Sequence, residues 1–89
     1  MNSKNKKPMT TAERAHVARV KELDCVICGT SGPSEAHEPE QGLWWLSIAL
    51  CPDCHRGGHN GIHGLGRAWS AARMSESKAT NETLRRVYG

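Results

Sequence analysis

Two short stretches decide how this chain folds: Cys25-Val26-Ile27-Cys28-Gly29 and Leu50-Cys51-Pro52-Asp53-Cys54-His55. They hold all four cysteines, as two C-x-x-C pairs separated by twenty-two residues. Two residues between cysteines let both sulfurs point to one side of a tight knuckle. Two such knuckles make a tetrahedral thiolate site, which suits Zn²⁺. Gly29, directly after the first pair, permits the backbone turn a knuckle needs. The expected ligands of a structural zinc are therefore Cys25, Cys28, Cys51 and Cys54.

The rest of the composition explains why such a staple is needed. In 89 residues there is no Phe, and only three Trp and one Tyr supply aromatic bulk. A hydrophobic core alone is often marginal at this size. The length allows one domain, expected over residues 10–89, after a basic tail at 1–9 expected to be disordered. No apolar run approaches the ~20 residues of a membrane span. The longest, Leu43–Leu50, is broken by Ser47. No apolar segment follows Lys4, Lys6 and Lys7 to make a secretory signal, so a cytoplasmic, reducing setting is expected. There, paired cysteines more often bind metal than form disulfides.

Other metal and haem motifs fit poorly. Cys51–His55 is also a C-x-x-C-H haem-attachment pattern, but that chemistry needs export and leaves Cys25 and Cys28 without a role. A C₂H₂ finger wants about twelve residues between its cysteine pair and first histidine. Here His37 comes nearer. A nucleobase deaminase wants H-x-E and P-C-x-x-C, whereas Pro39 stands two after His37 and Leu50 precedes Cys51.

Local patterns place these motifs. Thr10 and Glu13 have capping-box spacing and predict a helix from Thr10 to about Asp24. Ala12, Ala15, Ala18, Val20 and Leu23 form its expected apolar stripe. Ser34–Glu38 reads as a short strand, and Pro39–Gly42 as a loop. Leu43–Leu50 reads as a buried strand, although its apolar run alone is also compatible with helix. One of Trp44 and Trp45 is expected to be buried and the other partly exposed. The glycines of His55–Gly66 argue against a regular helix there. Leu65–Met74 and Thr80–Tyr88 read as helices, the second with Leu84, Val87 and Tyr88 on one face.

With the cysteines on zinc, the histidines are free for other work. His16 lies mid-helix and reads as surface or packing. His37 sits in the short strand. His55, His59 and His63 fall within nine residues. Histidine is the commonest neutral metal ligand and the side chain poised for proton transfer near neutral pH.

At this point the chain resembles a family. A zinc knuckle, a strand bearing His, a second strand, then L-C-x-x-C-H and further His look like the HNH endonucleases, whose ββα-metal fold here carries zinc knuckles. The pieces are Cys25–Cys28, Ala36-His37, Leu50–His55 and Gly61-Ile62-His63-Gly64. The last is similar to a segment of phage and prophage members. His16-Val17-Ala18, Leu23 and Tyr88-Gly89 give a weaker likeness to RecA-dependent recombination nucleases of the Ref kind.

The resemblance implies a small α+β fold with an HNH-like core, a structural zinc and flanking N- and C-terminal helices. It implies a metal-dependent DNA endonuclease. His37 falls where the family has its water-activating base, and His55 on a ligand of the catalytic divalent ion, Mg²⁺ or another. The final ligand is His63 by the G-I-H-G match, or His59 by i, i+4 spacing. Ala36 stands where the family usually has a metal-binding Asp or His. A third protein ligand would come from Glu35, Glu38 or Glu40, or water would fill the place. The Asn that names the family, a backbone clamp near Leu46 or Ser47, is missing.

Charge is consistent with a polyanionic partner. From Arg56 onward six basic residues face only Glu76 and Glu82, while Asp24–Asp53 carries five acids and no base. DNA is the expected partner, with Arg56 and Arg67 as candidate phosphate contacts and a recombination or replication protein as a further one. No membrane partner is expected. The competing reading is a non-catalytic zinc-ribbon-like module for nucleic acid or protein. Such a module needs the four cysteines but gives His37, His55 and His63 no reason to converge.

Overall fold

A computed structural model describes residues 8–89. The expected tail at 1–9 lies almost wholly outside them. The elements are α1 (Thr11–Lys21), β1 (Glu35–His37), a 3₁₀ turn (Trp44–Leu46), β2 (Ile48–Leu50), α2 (Pro52–Arg56), α3 (Arg67–Ala72) and α4 (Glu76–Tyr88). Among the described residues the result is a small α+β fold with one two-stranded sheet and four helices.

Helix α1 starts where the capping box predicts. The Thr10 hydroxyl accepts from the Glu13 N–H at 3.1 Å, and the Glu13 carboxylate accepts from the Thr10 N–H at 2.8 Å. The helix ends earlier than expected, with Glu22 as its C-cap. Its buried face also differs. His16, Val17 and Val20 are buried, whereas Ala12, Ala15 and Ala18 are exposed. A methyl group removes little apolar surface from water, so the two valines decide which face docks.

The strands pair antiparallel, Glu35 with Leu50, Ala36 with Ala49 and His37 with Ile48. All three β2 residues are buried. They meet Val20, Val26, Trp69 and Ala79 in one core. Both backbone groups of Ala49 point away from β1. Its carbonyl accepts from the Val26 N–H at 3.1 Å, and its N–H reaches the Thr83 hydroxyl at 3.4 Å. The free edge of β2 is thereby covered by the first cysteine knuckle on one side and by α4 on the other.

The apolar run Leu43–Leu50 is not one buried strand. Its first half turns, and Leu43, Trp45 and Leu46 stay exposed. Ser47 makes the break: its N–H and its hydroxyl both donate to the Trp44 carbonyl, at 3.2 and 2.7 Å. Trp44 is half-buried and Trp45 exposed. Trp45 lies against the buried His16 ring, 4.9 Å between centroids. The indole in the core is Trp69 instead, and its N–H donates to the Cys54 carbonyl at 2.9 Å.

Helix α4 begins four residues before the expected Thr80, because Ser75 caps it by accepting from the Lys78 N–H. Its buried residues are Ala79 and Thr83; of the expected Leu84–Val87–Tyr88 face, Val87 packs against the core while Tyr88 is exposed. Thr83 can be buried because its hydroxyl donates to the Ala79 carbonyl at 2.8 Å while receiving the Ala49 N–H.

Leu50 is fully buried and Leu65 is 66% exposed. In urea unfolding, Leu50→Ala is expected to cost about 3 kcal/mol. Leu65→Ala is expected to stay within about 0.5 kcal/mol of wild type.

Candidate metal centres

The residue after α1 to the start of β1 forms the first knuckle. The Cys25 N–H donates to Thr30 and the Gly29 N–H donates back to Cys25, at 2.9 and 3.0 Å. Gly29 takes the left-handed conformation, φ +81°, that closes this turn. The second knuckle is the junction of β2 and α2. Cys51 is the N-cap of α2, and its sulfur accepts from the Cys54 N–H at 3.4 Å. Pro52 at the first helical position loses no hydrogen bond there.

Together the knuckles bring Cys25, Cys28, Cys51 and Cys54 within 4.8 Å of one another at their sulfurs. All four are free thiols. The Cys28 and Cys51 sulfurs are 3.7 Å apart. That is close to the edge of a tetrahedron with Zn–S bonds of about 2.3 Å, and far beyond the ~2.05 Å of a disulfide. The four cysteines can bind a metal such as zinc. The four sulfurs differ in their electrostatics. Burial raises the Cys28 thiol, but hydrogen bonds from Thr30, Cys54 and Cys51 outweigh it, and its pKa falls to about 7. Burial pushes the Cys51 and Cys54 thiols up. Four thiolates repel one another, and a bound cation is what would stabilise the set.

A second cluster lies beside the first. His37, His55 and His63 place one nitrogen each within 4.8 Å of one another. Their ring centroids are 5.0–5.1 Å apart. His37 comes from the end of β1 and is 6% exposed. His55 follows Cys54 within α2. His63 arrives on a glycine-rich loop folded back onto α2: the Ile62 N–H donates to the Cys54 carbonyl at 3.0 Å, and the His63 N–H to the His55 carbonyl at 3.3 Å. Side chains would block that loop. A Cβ on Gly61 would stand 2.5 Å from the Gly57 carbonyl oxygen, and one on Gly64 would strike that of Gly58.

Each inward-facing histidine of the sheet and helix has a carboxylate on its outer nitrogen. Glu76 Oε2 lies 2.7 Å from His37 Nε2, and Glu35 Oε1 lies 2.8 Å from His55 Nδ1. Strand alternation explains Glu35: two residues before His37, it shares the same face of β1. Arg56 grips the same carboxylate, with distances of 2.6–3.1 Å. The Arg56 and then the His55 hydrogen bond hold the Glu35 carboxyl down to about 2.

The sequence-predicted residues thus separate. The four cysteines form one cluster, and His37, His55 and His63 form the other. His59 is exposed and belongs to neither cluster. Glu35 supports His55, and the carboxylate of Glu38 accepts from the Gly42 N–H at 2.9 Å. Glu40 is exposed. Neither cluster contains a carboxylate. Arg56 remains largely exposed while paired with Glu35, and Arg67 is exposed at the start of α3. The residue that sequence reasoning missed is Glu76. Its one local signal is the Ser75 cap that opens α4, and no spacing rule ties it to a histidine 39 residues earlier.

Among the described residues, no helix is long and apolar enough to cross a membrane. Comparison with protein-family models, curated proteins and solved structures finds no match.

The purified protein is expected to carry one tightly held zinc by elemental analysis. Cys51→Ser is expected to lose both the zinc and the folded circular dichroism spectrum. His63→Ala should keep both; an equal loss of fold in the two variants would assign His63 a structural task.

Proposed function

We propose that the protein is a metal-dependent DNA endonuclease with an HNH-like ββα-metal core, of the phage or prophage kind. The observation that carries this reading is the meeting of His37, His55 and His63 at one point beside the four-cysteine cluster. A zinc-ribbon-like binding module has no use for that convergence. The order of parts supports the reading as well. A strand ends in His37, a second strand follows, and a short helix presents His55, as the resemblance implies. Ser47 supplies a backbone tie at the turn into β2, where the family's Asn is missing.

Phosphodiester hydrolysis must deprotonate a water and stabilise a more negative transition state. A divalent cation at the histidine cluster would neutralise the phosphate and the leaving oxygen. His55 and His63 would hold it, and imidazole nitrogens as donors fit an ion of the Zn²⁺, Mn²⁺ or Ni²⁺ kind better than Mg²⁺, which prefers oxygen. His37 stands at the family's base position, with Glu76 fixing its ring. His63 is exposed and His55 partly so, leaving the cluster open to a backbone phosphate on that side. Arg67 at the start of α3 and Arg56 at the end of α2, the latter paired with Glu35, are the candidates for phosphate contacts. A recombination or replication protein is a further partner consistent with the likeness to recombination nucleases.

Zinc-loaded protein is expected to nick or cut DNA only after a second divalent ion is added. His37→Ala should lower that activity by at least 10²-fold, the usual scale for a group at the reacting centre, with the fold retained. The measurement is a cleavage assay on single-stranded, duplex and branched DNA with each ion. Metal-independent cleavage, or an unchanged His37→Ala rate, would count against the reading.

A further inference from the structure

The tautomers of the two central histidines follow from their neighbours. A carboxylate at neutral pH has no proton to donate. Glu76 therefore requires the proton of His37 on Nε2, and Glu35 requires that of His55 on Nδ1. The two remaining nitrogens, His37 Nδ1 and His55 Nε2, are then both bare lone pairs. They face each other at 3.3 Å. Two acceptors do not approach that closely without a cation between them. A shared proton would join these two atoms but would leave the third histidine idle, and His63 brings its own nitrogen within the same 4.8 Å. A span of 3.3 Å is also what two nitrogens bound at about 2.1 Å to one ion make at a near-tetrahedral angle.

We infer that His37 is a metal ligand through Nδ1 and not the water-activating base, so that His37, His55 and His63 form a three-histidine divalent-ion site oriented by Glu76 and Glu35. The missing acid at Ala36 then has a replacement: the strand's donor, the third of the site, is His37 itself. The two carboxylates are positioning residues, each locking one ring's tautomer and raising its basicity, as outer carboxylates do around histidine-bound metals. With Nε2 engaged by Glu76 and Nδ1 by the ion, His37 has no lone pair left to take a proton. The inference rests on the endonuclease reading for what the ion does, but not for which atoms hold it.

The test is a Co²⁺ titration of zinc-loaded, full-length protein, read by visible absorption and calorimetry. One further ion should bind with ligand-field bands and no sulfur charge transfer. His37→Ala should weaken that ion by more than 100-fold, as should His55→Ala and His63→Ala. Glu76→Gln, which keeps shape but not charge, should weaken it 10–100-fold. Retained zinc content and circular dichroism show that each variant is folded. If His37→Ala binds the second Co²⁺ like wild type while losing cleavage, His37 is the base and the inference is overturned. Should the variant not fold, long-range ¹H–¹⁵N spectra of the wild type decide instead. Zn²⁺ in excess of the cysteine site should leave His37 as the Nε2–H tautomer and shift Nδ1; an Nδ1 indifferent to the ion overturns the assignment. Tight binding through all three histidines without any DNA cleavage upholds it and removes the endonuclease reading alone.

Discussion

The structure depends on one constraint: the four cysteines must reach one point from two segments of the chain twenty-two residues apart. The sheet is too small to impose this. Three residues per strand in a two-stranded pair are marginal on their own. Nor does the core have much to give, since its largest members are Ile48, Leu50, Val20 and Trp69. The knuckles instead organise the sheet. The hydrogen bond from Val26 to Ala49 fastens the first knuckle along β2, while Cys51 ends that strand and caps α2. A change at the cysteine cluster therefore reaches β1, β2 and α2 together.

The two clusters share a backbone, because Cys54 and His55 are consecutive residues. This gives the formal charge of +3 a different meaning. It treats the thiols as neutral. Four thiolates around a zinc would lower the total by two, and a second dication at the histidines would restore it. The side chains paired with His37 and His55 are acidic, Glu76 and Glu35, with Glu35 already matched by Arg56. On the proposed reading, attraction for a phosphate at this face would come from a bound ion more than from its side chains.

Much of the site was legible in the sequence, for local reasons. The capping box at Thr10, the knuckle glycine at Gly29, the strand carrying His37 and the irregular glycine-rich stretch all express short-range chemistry. The features not legible are long-range. Which face of α1 is buried depends on the partner that Val17 and Val20 meet. Neither Trp44 nor Trp45 is fully buried as one of them was expected to be, because Ser47 turns the chain before β2, and the core indole is Trp69. Glu76 reaches His37 only after α4 has docked against β2 through Thr83. Composition and spacing carry no trace of that contact.

The shortness of α2 has a consequence for how this fold tolerates changes in chain length. The Pro39–Gly42 loop is a surface connection, and doubling such a loop costs only about 0.6 kcal/mol of closure entropy. Residues can be added there while β1 and β2 keep their pairing. Between Cys54 and His55 the opposite holds. One added residue turns everything after it by about 100° around the helix axis. His55 would swing away from His37 while Cys51 and Cys54 kept their places. Variation in length therefore belongs in the turn between the strands, and the five residues of Pro52–Arg56 are fixed in number as well as in kind.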